Sequence, residues 1–422
     1  MSQFRSLVVG AFVAAAVAAS AQSLPTFVAA PEPLLSITEP MRAGSGRSVA
    51  IPTARGATGL VSGAQLNQVT HARRLTDGRI IVSLCSNQLR TFDARGAIVA
   101  QWQQNPANRG PMRRVFLTGD GVGAFEADQG TLFLLNDRLE LVREVPLPSS
   151  FNGRSLVSDP RVSAGGPSFR SPLDVLGRLP DGRFVARVLA PPSVKEGVER
   201  QAVSVITFDD NGKILDSLAV KGPEIDVLGQ ATLSPRHVRF ERTAVVAVVG
   251  ARVFIGEQDQ ASIGVFDSSL KLTTRLPTIT APEPVTEAAR AAWVAAQPTM
   301  FAERGTHWEF REPYAEAMPA YGDLVAGADE RVWVQNPERP GSYPLVWTAY
   351  DGQRAVARAE LPPRFFPTEF GADWVLGIAS DAQAAQFVQL LRLREGPLTN
   401  RTMTAFDAKP QDRQRCDPWL SR

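Results

Sequence analysis

The sequence predicts an all-β chain in which six four-stranded antiparallel units form a closed β-propeller. Three observations carry that expectation. A turn-then-strand segment recurs six times, a second Asp- or Asn-centred turn follows each of the first five, and the last unit lacks a strand that a short apolar segment near the N-terminus can supply.

The opening segments are Asp77-Gly78-Arg79-Ile80-Ile81-Val82, Asp120-Gly121-Val122-Gly123-Ala124-Phe125 and Asp181-Gly182-Arg183-Phe184-Val185-Ala186. Looser versions begin at Gly250, Asp329 and Ala372. Each couples a hairpin-type turn to β-branched and aromatic residues, the chemistry of a half-buried pleated strand. The second turns are Phe92-Asp93-Ala94-Arg95-Gly96, Leu135-Asn136-Asp137, Phe208-Asp209-Asp210-Asn211-Gly212, Phe266-Asp267 and Tyr350-Asp351-Gly352. A short Asp or Asn side chain there accepts hydrogen bonds from the turn backbone.

Counting one strand before each opening turn gives four per unit. In the first unit they are Leu66 to Arg74, Arg79 to Leu84, Gln88 to Phe92 and Ala97 to Trp102. The first and last steps between opening turns are 43 residues, within the roughly 40 to 45 of a propeller blade. After Trp374 to Ile378 and Phe387 to Arg394 no outer strand follows, so Leu34 to Thr38 is expected to complete blade six and close the ring.

The first residues form a separate segment. Arg5, the uncharged run Leu7 to Ala19 and the small-x-small sequence Ala19-Ser20-Ala21 have the order of a secretory signal peptide. The expected organisation is a signal peptide over 1–21, an N-terminal segment with the closing strand over 22–65, the propeller over 66–394 and a tail over 395–422. The propeller is interrupted by a helical insertion at 285–297, with Thr286 as its N-cap. That helix is expected on one rim of the ring, either as decoration or as a lid.

Composition narrows the function classes. The chain has 422 residues, 45 basic against 43 acidic side chains and a formal charge of +2, which excludes a strongly basic nucleic-acid binder. After the leader no apolar run reaches the roughly 20 residues of a membrane-spanning helix, so no stable membrane insertion is expected once the leader is cleaved. Cys85 and Cys416 form a disulfide or remain a buried small residue and a free tail thiol; spacing alone leaves both open.

The segment Asp77 to Gly96, Ser234-Pro235-Arg236-His237-Val238, Pro284-Val285-Thr286 and Arg331-Val332-Trp333-Val334 together resemble exported bacterial six-bladed propellers related to the NHL-repeat and gluconolactonase-like propellers. The resemblance spans nearly the whole mature chain and implies architecture and export rather than a particular activity. Gln104 to Pro111 departs from the Gly-rich linker such proteins often carry after blade one, so partner binding through that linker is not carried over.

Ligands of propellers usually sit at the channel mouth near the starts of the inner strands. The candidates placed there are His71, Arg113, Arg114, Arg236, His237, Arg239, Tyr321 and Glu369, with arginines from three blades suited to an anion. Against this stands the abundance of arginine, 40 against 5 lysines, which would place solvated arginines on every rim. The expected function is a non-catalytic, monomeric binding module outside the cytoplasmic membrane, without a cofactor, taking a protein or a small anionic ligand. The alternative is a lactonase- or esterase-like hydrolase using Ca²⁺, for which Asp174, Glu241 and Glu369 are the available carboxylates. His71, His237 and His307 have no zinc-hydrolase spacing, and no Gly-x-Ser-x-Gly elbow occurs.

Overall fold

The computed structural model describes residues 24–37, 69–85, 87–103, 112–119, 121–126, 130–156, 172–192, 195–227, 236–278, 280–295, 313–340, 342–381 and 386–403. The expected signal peptide, His307 and Cys416 lie outside them.

Six antiparallel blades follow one another in chain order, each numbered from its inner strand outward. Blade one comprises Val69–Arg74, Ile80–Leu84, Gln88–Phe92 and Ile98–Gln103, and blade two Met112–Thr118, Gly121–Glu126, Thr131–Leu135 and Leu141–Val145. Blade four repeats the pattern with Val245–Val249, Arg252–Gly256, Ser262–Phe266 and Leu272–Pro277. The inner strands of neighbouring blades touch in sequence, and that of blade six returns to that of blade one, so the ring is closed.

Closure uses the N-terminus as expected: Leu35–Ile37 pairs antiparallel with Gln386–Glu395, opposite Val388 to Leu390, and is the fourth strand of blade six. The structure adds a second closing strand that the sequence did not announce. Thr26–Ala29 runs parallel to Arg354–Glu360, the outer strand of blade five, and antiparallel to the third strand of blade six. Blades five and six thereby become one continuous sheet. Val69 N donates to Gln386 Oε1 at 2.7 Å across the other side of blade six, joining it to blade one.

The turns explain why the repeat is visible in the sequence. Asp93, Asn136, Asp209 and Asp267 each accept from the backbone N–H groups two and four residues on, at 2.8 to 3.0 Å. Asp77 and Asp181 do the same for the opening turns through Arg79 N and Arg183 N. Gly78 and Gly182 sit at φ of 89° and 92°, a region costly for any residue with a Cβ.

Between blades the core is aromatic and aliphatic. Phe116, Phe125, Phe184 and Phe208 are buried in one cluster between blades two and three, with Phe184 and Phe208 stacked at 5.2 Å. Trp333 of blade five stacks on Phe370 of blade six at 4.1 Å and 9°. Each blade buries both faces against its neighbours, which is why second strands such as Ile80–Leu84 and Gly121–Glu126 are buried along nearly their whole length.

Strand direction alternates within a blade, so the two faces of the ring differ. The inner-to-second and third-to-outer turns occupy one face and are short. The second-to-third turns and the blade-to-blade crossings occupy the other, which carries the insertions. There blade three extends Gly197–Phe208 and Ile214–Val227 beyond the second strand into a long hairpin. On the same face lies the helix Glu287–Ala295, starting two residues later than expected, with Ala289 N donating to the N-cap Thr286 Oγ1 at 3.2 Å.

Candidate functional site

The axis of the ring is lined by the six inner strands, and four of them bring charge to it. Arg114, near the start of its strand, and Asp174 pair across to Phe125 and Arg187, at the same level as His71 opposite Ser83. Arg73 and Glu369 pair with Ile81 and Leu376, two residues further toward the short-turn face. Their side chains join across blade boundaries. Arg73 of blade one lies 3.8 Å from Glu369 of blade six, and Arg114 of blade two 3.7 Å from Asp174 of blade three. Arg187, on the second strand of blade three, reaches the same Asp174 oxygen at 3.0 Å. Glu369 also accepts from Arg74 N at 2.7 Å, while the Arg74 guanidinium lies 4.8 Å from the centre of the Trp374 ring.

Among the described residues three guanidiniums thus face two carboxylates, and both carboxylates are buried. Burial pushes the Glu369 carboxyl above its ordinary value, opposed by Arg73 and Arg74. Burial also lowers Arg73, with Glu369 countering and Arg114 adding to the effect. The cluster is therefore a desolvated set of charges with an excess of positive groups. Arginine's planar fork in such a setting offers paired donors to a carboxylate or phosphate.

Of the residues expected at the mouth, Arg114 and Glu369 belong to this cluster. His71 is buried on the inner strand of blade one, with its carbonyl accepting from Ser83 Oγ at 3.1 Å, and Arg113 is buried beside Arg114. The others sit elsewhere. Arg236 and His237 do not enter blade four, whose inner strand starts at Val245; they form a fifth strand on blade three opposite Ile225 and Asp226. Arg239 lies under the inserted helix, its guanidinium 4.5 Å from the centre of the Trp293 ring, with its backbone paired to Pro313 and Ala315. Tyr321, 1% exposed, is a packing residue between blades four and five, and its hydroxyl accepts from Gln258 N at 3.1 Å. Burial raises its phenol far above the usual range.

Arg73 and Arg187 escaped the sequence reading because neither stands at a strand start, and no pattern in the chain marks which arginines meet across blades. Of the carboxylates considered for Ca²⁺, Asp174 and Glu369 do not fit that ion. Asp174 faces two guanidiniums and Glu369 a third, so a divalent cation would enter against three positive charges. Among the described residues no group of three or more His, Cys, Asp or Glu is arranged to hold a metal.

Around the helix, aromatic side chains gather on the insertion face. Tyr314 lies 6.0 Å from Phe240 and 6.3 Å from Trp293, ring centre to ring centre, and Arg290 caps Tyr314 at 5.0 Å. The segment before blade five is tied to the helix start by Val285 N donating to Glu316 O and Met318 N to Glu283 O.

The first residues of the tail dock on blade five. Thr402–Met403 pairs with Tyr343–Pro344, and the buried Glu360 carboxylate accepts from the backbone N–H groups of Thr399, Asn400 and Arg401. Those hydrogen bonds hold Glu360 below its ordinary value despite burial.

No protein-family model and no curated protein matches the chain. Among solved structures it is similar to a streptogramin B lyase, at 12% identity and TM-score 0.37 over 79% of this chain and 87% of that one. A protein of Bacteroides fragilis described as exported is similar at 12% identity and TM-score 0.41, over 86% and 94%. BamB from Moraxella catarrhalis is similar at 11% identity and TM-score 0.31, over 77% and 85%. Likeness at this level carries no activity to the chain. The class it belongs to, a six-bladed β-propeller, rests on its own strand pairing. No helix among the described residues is long and apolar enough to cross a membrane.

Proposed function

We propose that the protein is exported and acts as a binding module that takes a small anionic ligand at the insertion-face end of its channel. The observation that carries this reading is the convergence, among the described residues, of Arg73, Arg114 and Arg187 on two carboxylates at the axis. An arriving carboxylate or phosphate offsets the positive excess and meets donors already held in place by packing and ion pairs. Rigid blades with the insertions on one face suit recognition more than chemistry. Export is supported by Cys85, which is disulfide-bonded, a state that persists in oxidising compartments.

Calorimetric titration with citrate and with inorganic phosphate tests the reading on the mature chain. The wild-type protein binds at least one of them, and Arg73→Ala/Arg114→Ala weakens binding tenfold or more, each lost charge-assisted hydrogen bond being worth about 1.5–3 kcal/mol. Equal binding by both proteins, or no heat from either anion, overturns it.

A further inference from the structure

The charged residues occupy only part of the channel wall. Blades one, two, three and six contribute Arg73, Arg114, Asp174 and Glu369, whereas the inner strands of blades four and five are Val-Val-Ala-Val-Val over Val245–Val249 and Leu-Val-Ala over Leu324–Ala326. These two strands carry no hydrogen-bonding side chain at all. They are not wholly sealed in the core either: Val246, Val248, Val325 and Ala326 keep part of their surface exposed. On the insertion face, the chain leading into these same two strands carries the aromatic group of Phe240, Trp293 and Tyr314. One side of the channel is thus charged, and the inner strands of the facing side are apolar, below a rim where Arg239 and Arg290 lie against the aromatic rings.

From this division we infer that the ligand is an amphipathic anion. Its charged end meets Arg73 and Arg114, and its hydrocarbon or aromatic body lies along blades four and five toward Trp293. The inference rests on the anion-binding reading and adds the chemistry of the rest of the ligand. A ligand that is charged throughout would leave the valine side hydrated or desolvate its own polar groups against it, which is costly without partners. A ligand that is apolar throughout would gain nothing from the positive excess over the carboxylates among the described residues of the charged side. Pockets that discriminate generally combine an apolar wall with a few placed polar groups, and the two sides here have that composition.

Acetate, octanoate and octanol, titrated separately into the mature protein below the aggregation limit of octanoate, separate the possibilities. Each fully buried methylene multiplies affinity by up to about fourfold, so octanoate is expected to bind at least tenfold more tightly than acetate and than octanol. Trp293→Ala should remove part of the octanoate advantage while leaving acetate unchanged. Val248→Asp, checked for an intact melting transition, should remove more; if it does not fold, Trp293→Ala carries the test. Equal affinity for acetate and octanoate overturns the amphipathic inference and leaves the anion reading standing. Octanol binding as well as octanoate overturns both, as does the absence of binding by all three.

Discussion

The two faces of the ring are built from the same strands and behave as different materials. The short-turn face repeats one device. Among the described residues an Asp or Asn side chain closes seven of the turns, and arginines beside the turns reach to the next blade: Arg79 to the Asp137 carbonyl and carboxylate, Arg183 to the Ser268 carbonyl, and Arg143 to Asp210. The insertion face has no repeat. It carries the extended hairpin of blade three, the extra strand Arg236–His237, the helix and the aromatic cluster. One face closes the ring, where every blade has the same task. The other is free to differ at each blade because the ring beneath it is already closed.

That contrast can be broken most forcefully at the seam both faces share. A chain lacking residues 24–37 loses the fourth strand of blade six and the strand joining it to blade five. The melting temperature should fall by more than about 10 °C, because exposed edges and unpaired backbone groups then run the height of two blades. Both faces should unfold together, as followed by circular dichroism; an unchanged transition would defeat the closure account.

A smaller effect separates the seam from either face. Glu360 holds the tail by accepting three backbone N–H groups, and its pKa is lowered. A carboxyl depressed in the folded state contributes stability that is present above its unfolded value and is lost as pH falls through the folded one. The tail should therefore release only below the ordinary carboxylate range, with increased hydrogen exchange at 399–403 while the blades stay protected. Glu360→Gln should show that exchange already at neutral pH. Protection unaffected by acid or by the substitution would place the tail's attachment elsewhere, at the Tyr343–Pro344 pairing.

The smallest expected effect sharpens the description of the short-turn face. Arg79→Ala removes a partly exposed ion pair and a hydrogen bond to the next blade, and such surface pairs are worth about 1 kcal/mol or less. Chemical denaturation should show a loss within that limit. A much larger loss would mean that the inter-blade arginines act as a connected belt rather than as separate contacts.

Local features were legible where local physics decides them. Asp-Gly-Arg turns, alternating strands, the Thr286 cap and the missing strand of blade six all follow from turn chemistry and side-chain period, and the structure has them. The second closing strand, Thr26–Ala29, was hidden because Thr-Phe-Val-Ala is too short to carry a period and its partners lie more than 300 residues away. Placement of single polar residues failed more often. Tyr321 stands just before an inner strand, yet packing between two blades buries it; Arg239 stands before another and is covered by a helix inserted some fifty residues later.

By itself the sequence determined the repeat, the number of blades and the strand that completes blade six, because turns and strands depend on residues adjacent in the chain. Which arginines meet which carboxylates at the axis, and that blades four and five leave their side of the channel apolar, was decided only by the tertiary structure. Side chains from blade six and blade one become neighbours through ring closure alone, and no spacing along the chain encodes that contact.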